Sequence, residues 1–390
     1  MITREDMLEL AQFQGNGTDC AISFYFQPSR PKNKAHREDV ILAKDLVRQA
    51  LREADRNGRN GSARADLQRL LDLAAEWHGS QSHAKVVFAC SSRNIWREFE
   101  VAPQFVGTQL FVNRRFHLKP LVVVVRSRPR LWLVFADRHR ARIFDLQLDE
   151  LREREALFHA LPRRGRGDGF GGYDAGHAER SVNDQVLHHF KNVAEYLRQS
   201  QEKGAFDNLI IGCQDINWHE FEPHLHPYVK ERLLGRIAAD VGTITEQQVR
   251  EQAAHILRKS LDQYRHELVD QVLSQAKRNG QGVTGLRRVL RSLEMGEVRT
   301  LLMTENYSAH AVECTSCGHL DAHMVRYCPV CGRLTRELED VCDALVPAAI
   351  RRGIELFYVK DEPALDHVGN IAALLRFRAD QSKGRFAVAS

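Results

Sequence analysis

Apolar residues recur along this chain in two rhythms: short runs rich in β-branched and aromatic side chains, and longer stretches spaced three and four residues apart. Near the start, Cys20–Phe26 (CAISFYF) predicts a strand closed by Pro28 and Pro31. Arg37–Ala54 predicts a helix, with Val40, Ile41, Ala43, Leu46, Val47, Ala50 and Leu51 on one face. The turn Asn57–Gly61 ends it. A second helix is expected over Ser62–Trp77, with Leu67, Leu70, Leu71 and Ala74 inward, Ser62 as N-cap and Asp66 in the first turn. Lys85–Cys90 and Gln109–Val112 read as strands.

Further on, Leu121–Val125, Leu131–Phe135 and Ala141–Phe144 read as three strands at hairpin spacing, with turns at Arg128-Pro129 and Asp137–His139. After a short charged segment comes Leu161–Arg180, LPRRGRGDGFGGYDAGHAER, which has almost no apolar residues and reads as a loop. Glu179–Gln199 then reads as a helix and Asn208–Cys213 as a buried strand. Thr245 and Gln248 have capping-box spacing at the head of a helix over Glu246–Arg278, which Asn279-Gly280 ends. Val283–Met295 and Thr335–Arg352 read as helices, and Val298–Met303, Ile354–Val359 and Ile371–Phe377 as strands. The fold class is therefore α/β in three domains: an α/β unit over 1–118, a mixed sheet flanked by helices over 119–245, and an α/β/α sandwich over 246–390.

Composition narrows this little: 43% hydrophobic and 27% charged residues are ordinary for a globular protein. A net charge of +5 allows a nucleic-acid partner without requiring one. The longest purely aliphatic run, Leu121–Val125, is far too short to cross a bilayer, and MITREDMLEL lacks the apolar core of a secretory signal, so a cytoplasmic protein with no membrane partner is expected. Eight cysteines in such a chain do not read as a disulfide framework. Cys20, Cys90, Cys213 and Cys342 stand singly among apolar residues and are expected to be buried thiols.

The other four form Cys314-x-x-Cys317 and Cys328-x-x-Cys331, each pair followed by glycine. Two such knuckles present four thiolates to one tetrahedral Zn²⁺, and four cysteines leave no position open for water, which points to a structural site. The alternative is two redox dithiols or unligated cysteines. The ribbon, 308–334, reads as an excursion from the third domain. The glycines of the 161–180 loop favour no packed conformation, and Arg163, Arg164 and Arg166 at its base suit phosphate contact, unless it is simply a solvated surface loop. Its glycines do not follow a strand directly, so they are no dinucleotide fingerprint, and no P-loop is present. His219, His224 and His226 are better placed for surface or partner contacts than for a metal, and His188 and His189 are expected to be solvated. No set of residues has the spacing of a nucleophilic triad.

With these residues in view, Val283–Asn306 (VTGLRRVLRSLEMGEVRTLLMTEN) resembles the C-terminal domain of the archaeo-eukaryotic class-1 release factors and their relative Pelota. That family has a helix, a glycine at the position of Gly296, a strand ending in two leucines, and in archaeal members a Cys-rich zinc insertion at the same place. The middle region is similar too: strands, an extended basic Gly-rich loop, then a long helix. ISFYF, FACSS and FVNRRFHLKPLVVVV resemble the divergent bacterial branch, which includes Balon-type ribosome hibernation factors. The resemblance implies a ribosomal A-site ligand, with an elongation-factor-like GTPase as a further partner. In release factors the loop carries Gly-Gly-Gln, which helps position water at the peptidyl-tRNA ester. The matching residues here are Gly171-Gly172-Tyr173. The implied function is A-site occupation without peptide release, in hibernation or rescue, with no catalytic residue. The implied rRNA-contact loop is Arg163, Arg164, Arg166, Gly171, Gly172, Tyr173, His177 and Arg180. Two alternatives stay open: an altered peptidyl-tRNA hydrolase using Tyr173, His177 or Glu179, and a zinc-ribbon RNA-binding protein outside translation.

Overall fold

The computed structural model describes residues 2–15, 19–27, 36–56, 62–76, 84–101, 107–126, 130–138, 140–147, 150–158, 173–239, 242–360 and 362–379. The chain divides into two compact units, Met1–Ser127 with Arg265–Ser390, and Arg128–Tyr264.

The first unit begins with α1 (Arg4–Gln12), which the apolar pattern does not announce. Thr3 Oγ1 accepts from the Asp6 N–H at 3.1 Å, and the Asp6 carboxylate accepts from the Thr3 N–H at 2.7 Å, a capping box. There follow β1 (Ala21–Phe26), α2 (His36–Arg56), α3 (Ser62–Glu76), β2 (Ala84–Cys90), β3 (Ile95–Val101), β4 (Gln109–Asn113) and α4 (Lys119–Arg126). The strands form an antiparallel sheet in the order β3-β2-β1-β4. Its alternation sends Ile22, Phe24, Val87 and Ala89 toward the apolar residues of α2 and α3, and Tyr25, Val86 and Phe88 into a second core on the other face.

Three expectations fail here. Asp66, expected in the first turn of α3, lies beyond that turn and is buried, accepting from the Ser91 N–H at 2.8 Å. β3 was not expected, because Arg97 interrupts the apolar face of Ile95, Phe99 and Val101, and Trp96 shares the face of Glu98 and Glu100. Leu121–Val125 is not a strand but part of α4. Pro120 fits the first helical turn, and Leu121 and Val122 are buried in the core shared with Leu345, Val346 and Ala349, so packing overrides β-branched propensity.

The second unit runs through β5 (Leu131–Ala136), β6 (Arg140–Gln147), β7 (Glu150–Phe158), α5 (Tyr173–Glu202), β8 (Asn208–Gly212), α6 (Asp215–Phe221), α7 (Pro227–Lys230), β9 (Leu233–Ile237) and the first part of α8 (Glu246–Lys277). The sheet order is β7-β6-β5-β8-β9, antiparallel on one side of β5 and parallel on the other, so the expected mixed sheet is present. The charged segment is β7, an edge strand: Glu153 pairs with Arg142 at 2.9 Å and Arg154 with Asp145 at 3.2 Å. α5 starts at Tyr173, six positions before the expected Glu179, which shortens the Gly/Arg segment. Thr245 and Gln248 form their capping box, with Thr245 N–H to Gln248 Oε1 at 3.0 Å and the return bond at 3.3 Å. Gly212 faces Phe135 across the parallel pair, and a Cβ there would lie 2.1 Å from the buried ring. Gly212→Ala is expected to destabilise this unit by about 1–3 kcal/mol, read by urea unfolding; an unchanged midpoint would contradict it.

The chain re-enters the first unit within α8 and continues as β10 (Gly282–Thr284), α9 (Leu286–Glu294), β11 (Val298–Thr304), β12 (Ala311–Cys314), β13 (Leu320–Asp321), β14 (Thr335–Leu338), α10 (Cys342–Arg351), β15 (Glu355–Val359), α11 (Pro363–Asp366) and β16 (Ile371–Leu375). The main sheet is ordered β10-β16-β11-β15. Leu301, Met303, Leu356 and Tyr358 pack with α9 and α10 residues on one face. Leu302, Ala372 and Leu374 pack with Leu268, Val269 and Val272 of α8 on the other, giving the expected sandwich. The helix expected over Val283–Met295 is split, because Gly285 at φ 81° separates β10 from α9. The helix expected from Thr335 begins only at Cys342, because Thr335–Leu338 pairs with β12 in a small sheet, β13-β12-β14.

Candidate functional site

The small sheet carries the four cysteines. Cys314 ends β12, and the chain turns back after Cys317 into β13. The second knuckle lies between Tyr327 and Leu334, which pair as an isolated antiparallel bridge. Behind each pair the glycine closes the turn: Gly318 N–H donates to the Cys314 carbonyl at 3.1 Å and Gly332 N–H to that of Cys328 at 2.9 Å. Both glycines sit at positive φ, 74° and 70°.

The sulfurs converge. Cys314 and Cys331 Sγ are 3.4 Å apart, Cys317 and Cys328 Sγ 3.7 Å, and all four lie within 4.8 Å of one another. A tetrahedron with Zn–S bonds of about 2.3 Å has S···S edges of about 3.8 Å, so the cluster fits. The N–H groups of Ser316 and Cys317 point at Cys314 Sγ, each at 3.4 Å, and that of Val330 at Cys328 Sγ at 3.4 Å. The Cys317 N–H foremost, with that of Ser316 and against desolvation, brings the Cys314 thiol down to about 6, the direction a metal-binding thiolate needs. These four residues could hold a metal such as zinc. Among the described residues no other group of three or more His, Cys, Asp and Glu ligand atoms converges in this way.

Next to the cluster is a charged seam that the sequence reading missed. Glu313, beside Cys314, is only 2% exposed. Arg115 clasps it with both guanidinium nitrogens, Nη1 to Oε2 at 3.0 Å and Nη2 to Oε1. Arg336 reaches it from β14, with Nε at 3.1 Å from Oε2. Burial alone would raise the Glu313 carboxyl, but the hydrogen bonds and charges of Arg115, then of Arg336, hold it below the usual range. Two positions on, His117 Nδ1 lies 2.9 Å from Asp343 of α10, and Asn113 donates to the same carboxylate at 3.0 Å. The available signal was an acid inside the apolar run Ala311–Cys314.

Arg163, Arg164, Arg166, Gly171 and Gly172 lie outside the described residues. Tyr173, His177 and Arg180 fall on the first turns of α5, with Tyr173 its first residue, so they belong to a helix and not to a loop. His188 is exposed, but His189 is fully buried, contrary to expectation, on the face of α5 that carries Phe190. His226 caps α7, accepting from the Tyr228 N–H. The four single cysteines are buried, as expected. No helix among the described residues is long and apolar enough to cross a membrane.

Residues 117–258 match the model of bacterial archaeo-eukaryotic release factor family 10. Peptide chain release factor subunit 1 of Pyrococcus abyssi is 26% identical over 309 residues, covering 71% of this chain and 74% of that protein. That of Thermococcus kodakarensis is 24% identical over 378 residues, covering 89% and 86%. Among solved structures, an archaeal translation termination factor aligns at 18% identity over 96% of this chain and 99% of its own, with a TM-score of 0.24. The relationship rests on the sequence matches: the middle region is similar to bacterial archaeo-eukaryotic release factor family 10, and most of the chain is similar to the archaeal peptide chain release factors.

Proposed function

We propose that this protein is a cytoplasmic, release-factor-like ligand of the ribosome that occupies the A site without releasing peptide, in hibernation or rescue, with a structural zinc in its ribbon. Peptide chain release, which names its archaeal relatives, takes place on the ribosome. The observation that carries the non-hydrolytic part is Gly171-Gly172-Tyr173, a retained glycine pair without the glutamine. Ester hydrolysis needs a water held in line with the carbonyl and a stabilised oxyanion. A phenol can stack on an exposed base, but its reach and hydrogen bonding differ from those of the amide. The Gly/Arg segment and the first turns of α5 then act as an arm that fills the centre, with Arg163, Arg164, Arg166 and Arg180 on rRNA phosphates and Tyr173 or His177 against bases.

The test uses ribosomes carrying labelled peptidyl-tRNA, pelleted and assayed for released peptide together. The native protein is expected to pellet in a salt-sensitive way and to release nothing. Arg163→Ala with Arg164→Ala and Arg166→Ala should weaken pelleting and flatten its salt dependence. Failure to pellet sinks the ribosomal reading. Rapid release that His177→Ala or Glu179→Ala abolishes would establish a hydrolase instead.

A further inference from the structure

We propose that the exposed face of α9 is a docking surface for the phosphate backbone of RNA, held by Arg287, Arg288 and Arg291. Val289, Leu290 and Leu293 are buried in the core, which fixes the helix in rotation and turns the three arginines to solvent. Their arrangement is costly without a counter-charge. Arg287 and Arg291 are an i,i+4 pair and Arg288 and Arg291 an i,i+3 pair, both like-charged. Arg287 and Arg288 also sit in the first turn, where the helix dipole favours acids, yet that turn holds no acid and Gly285 offers no capping side chain.

In the second unit, Arg198, Arg142 and Arg130 pair with the carboxylates of Glu195, Glu153 and Asp207. Among the described residues no ion pair is formed by Arg287, Arg288 or Arg291. The single acid of α9, Glu294, is held by the ring of His319. Leu286 lines an open crevice of about 570 Å³ with Lys360, which adds a cation; Glu305 and Asp366 line it too, so the net positive charge belongs to the helix face. Guanidinium forks match phosphate oxygens, and Arg287 and Arg291 are about 6 Å apart along the axis, close enough for neighbouring phosphates of one strand. A polyanion with regularly spaced charges suits this stripe better than a lone ion.

The proposal goes beyond the ribosomal reading: free RNA tests it, so either can fail alone. Binding of a labelled oligouridylate to the full chain is followed by anisotropy across about 50–200 mM salt. Replacing all three arginines by glutamine should weaken binding about tenfold and lower the slope of log K against log salt by about 2. The triple lysine variant should keep the slope. The charge-reversed pair Arg287→Glu with Arg288→Glu should melt no lower than the native protein while losing RNA, because it suits the dipole. Unchanged affinity and slope in the glutamine variant would overturn the proposal. A labelled polyglutamate that binds more tightly than the RNA, and is lost in the same variant, would overturn the choice of RNA in favour of an acidic protein.

Discussion

Stripping the metal from the ribbon, or replacing Cys317 by serine, is expected to unfold residues 311–338 and leave the five-stranded sheet of the second unit intact. The ribbon is too small to hold itself. Its strands are short, and Met324, Tyr327, Val330 and Leu334 are 52–67% exposed, so little apolar surface is buried to offset chain entropy. Four thiolates around one zinc supply what the core does not: apparent binding in small zinc modules is worth about 10–16 kcal/mol near neutral pH. Metal analysis should give about one zinc per chain. Hydrogen exchange after chelation should show protection lost across β12, β13 and β14 and kept in β5 and β8. A protein that purifies without zinc, yet keeps its ribbon amides protected, would refute the assignment.

What the sequence made legible follows from how local each signal was. The cysteine pairs needed nothing beyond their spacing, since the turn geometry is set by the residues between and just after them. Amphipathic helices such as α2 and α8 and the aromatic strand β1 were legible for the same reason. What failed depended on distant partners. Leu121–Val125 has strand propensity, and only the residues of α10 and β15 around it make it helical. Thr335–Leu338 looks continuous with a helix until β12 claims it. The Arg115–Glu313 pair joins residues far apart in sequence, and nothing local to either one announces the other. His189 shows the same limit: burial of one of two adjacent histidines is decided by which face of α5 packs.

Replacing Glu313 by glutamine is expected to destabilise the first unit by about 3–5 kcal/mol, the usual cost of breaking a buried ion pair from one side. The glutamine keeps the shape but leaves Arg115, 7% exposed, and the Arg336 guanidinium facing each other without a counter-charge. The seam lies where two parts of the unit meet: Arg115 follows β4, whereas Glu313 and Arg336 belong to the ribbon sheet. Nearby bonds join the same parts of the chain, Lys119 Nζ to the Tyr307 carbonyl at 2.7 Å and Arg351 to the Ala11 carbonyl at 2.6 Å. The loss should therefore appear in the amides of β1 and β4 as well as in the ribbon. A second variant separates charge from packing: Arg115→Met with Glu313→Leu and Arg336→Met removes all three charges and should recover much of the stability, because paired burial of charge gains little over apolar packing. The pH dependence has a definite sign. Glu313 is held below its unfolded pKa of about 4.3, so its contribution is fully present above that value and is lost as pH falls through the lower folded pKa. Native protein should lose stability relative to Glu313→Gln over that acid window and not at neutral pH. Hydrogen exchange of the first unit, with urea unfolding at several pH values, measures both effects. A cost below about 1 kcal/mol, with no difference in acid slope, would mean that the seam is screened by solvent and does not hold the ribbon to the N-terminal sheet.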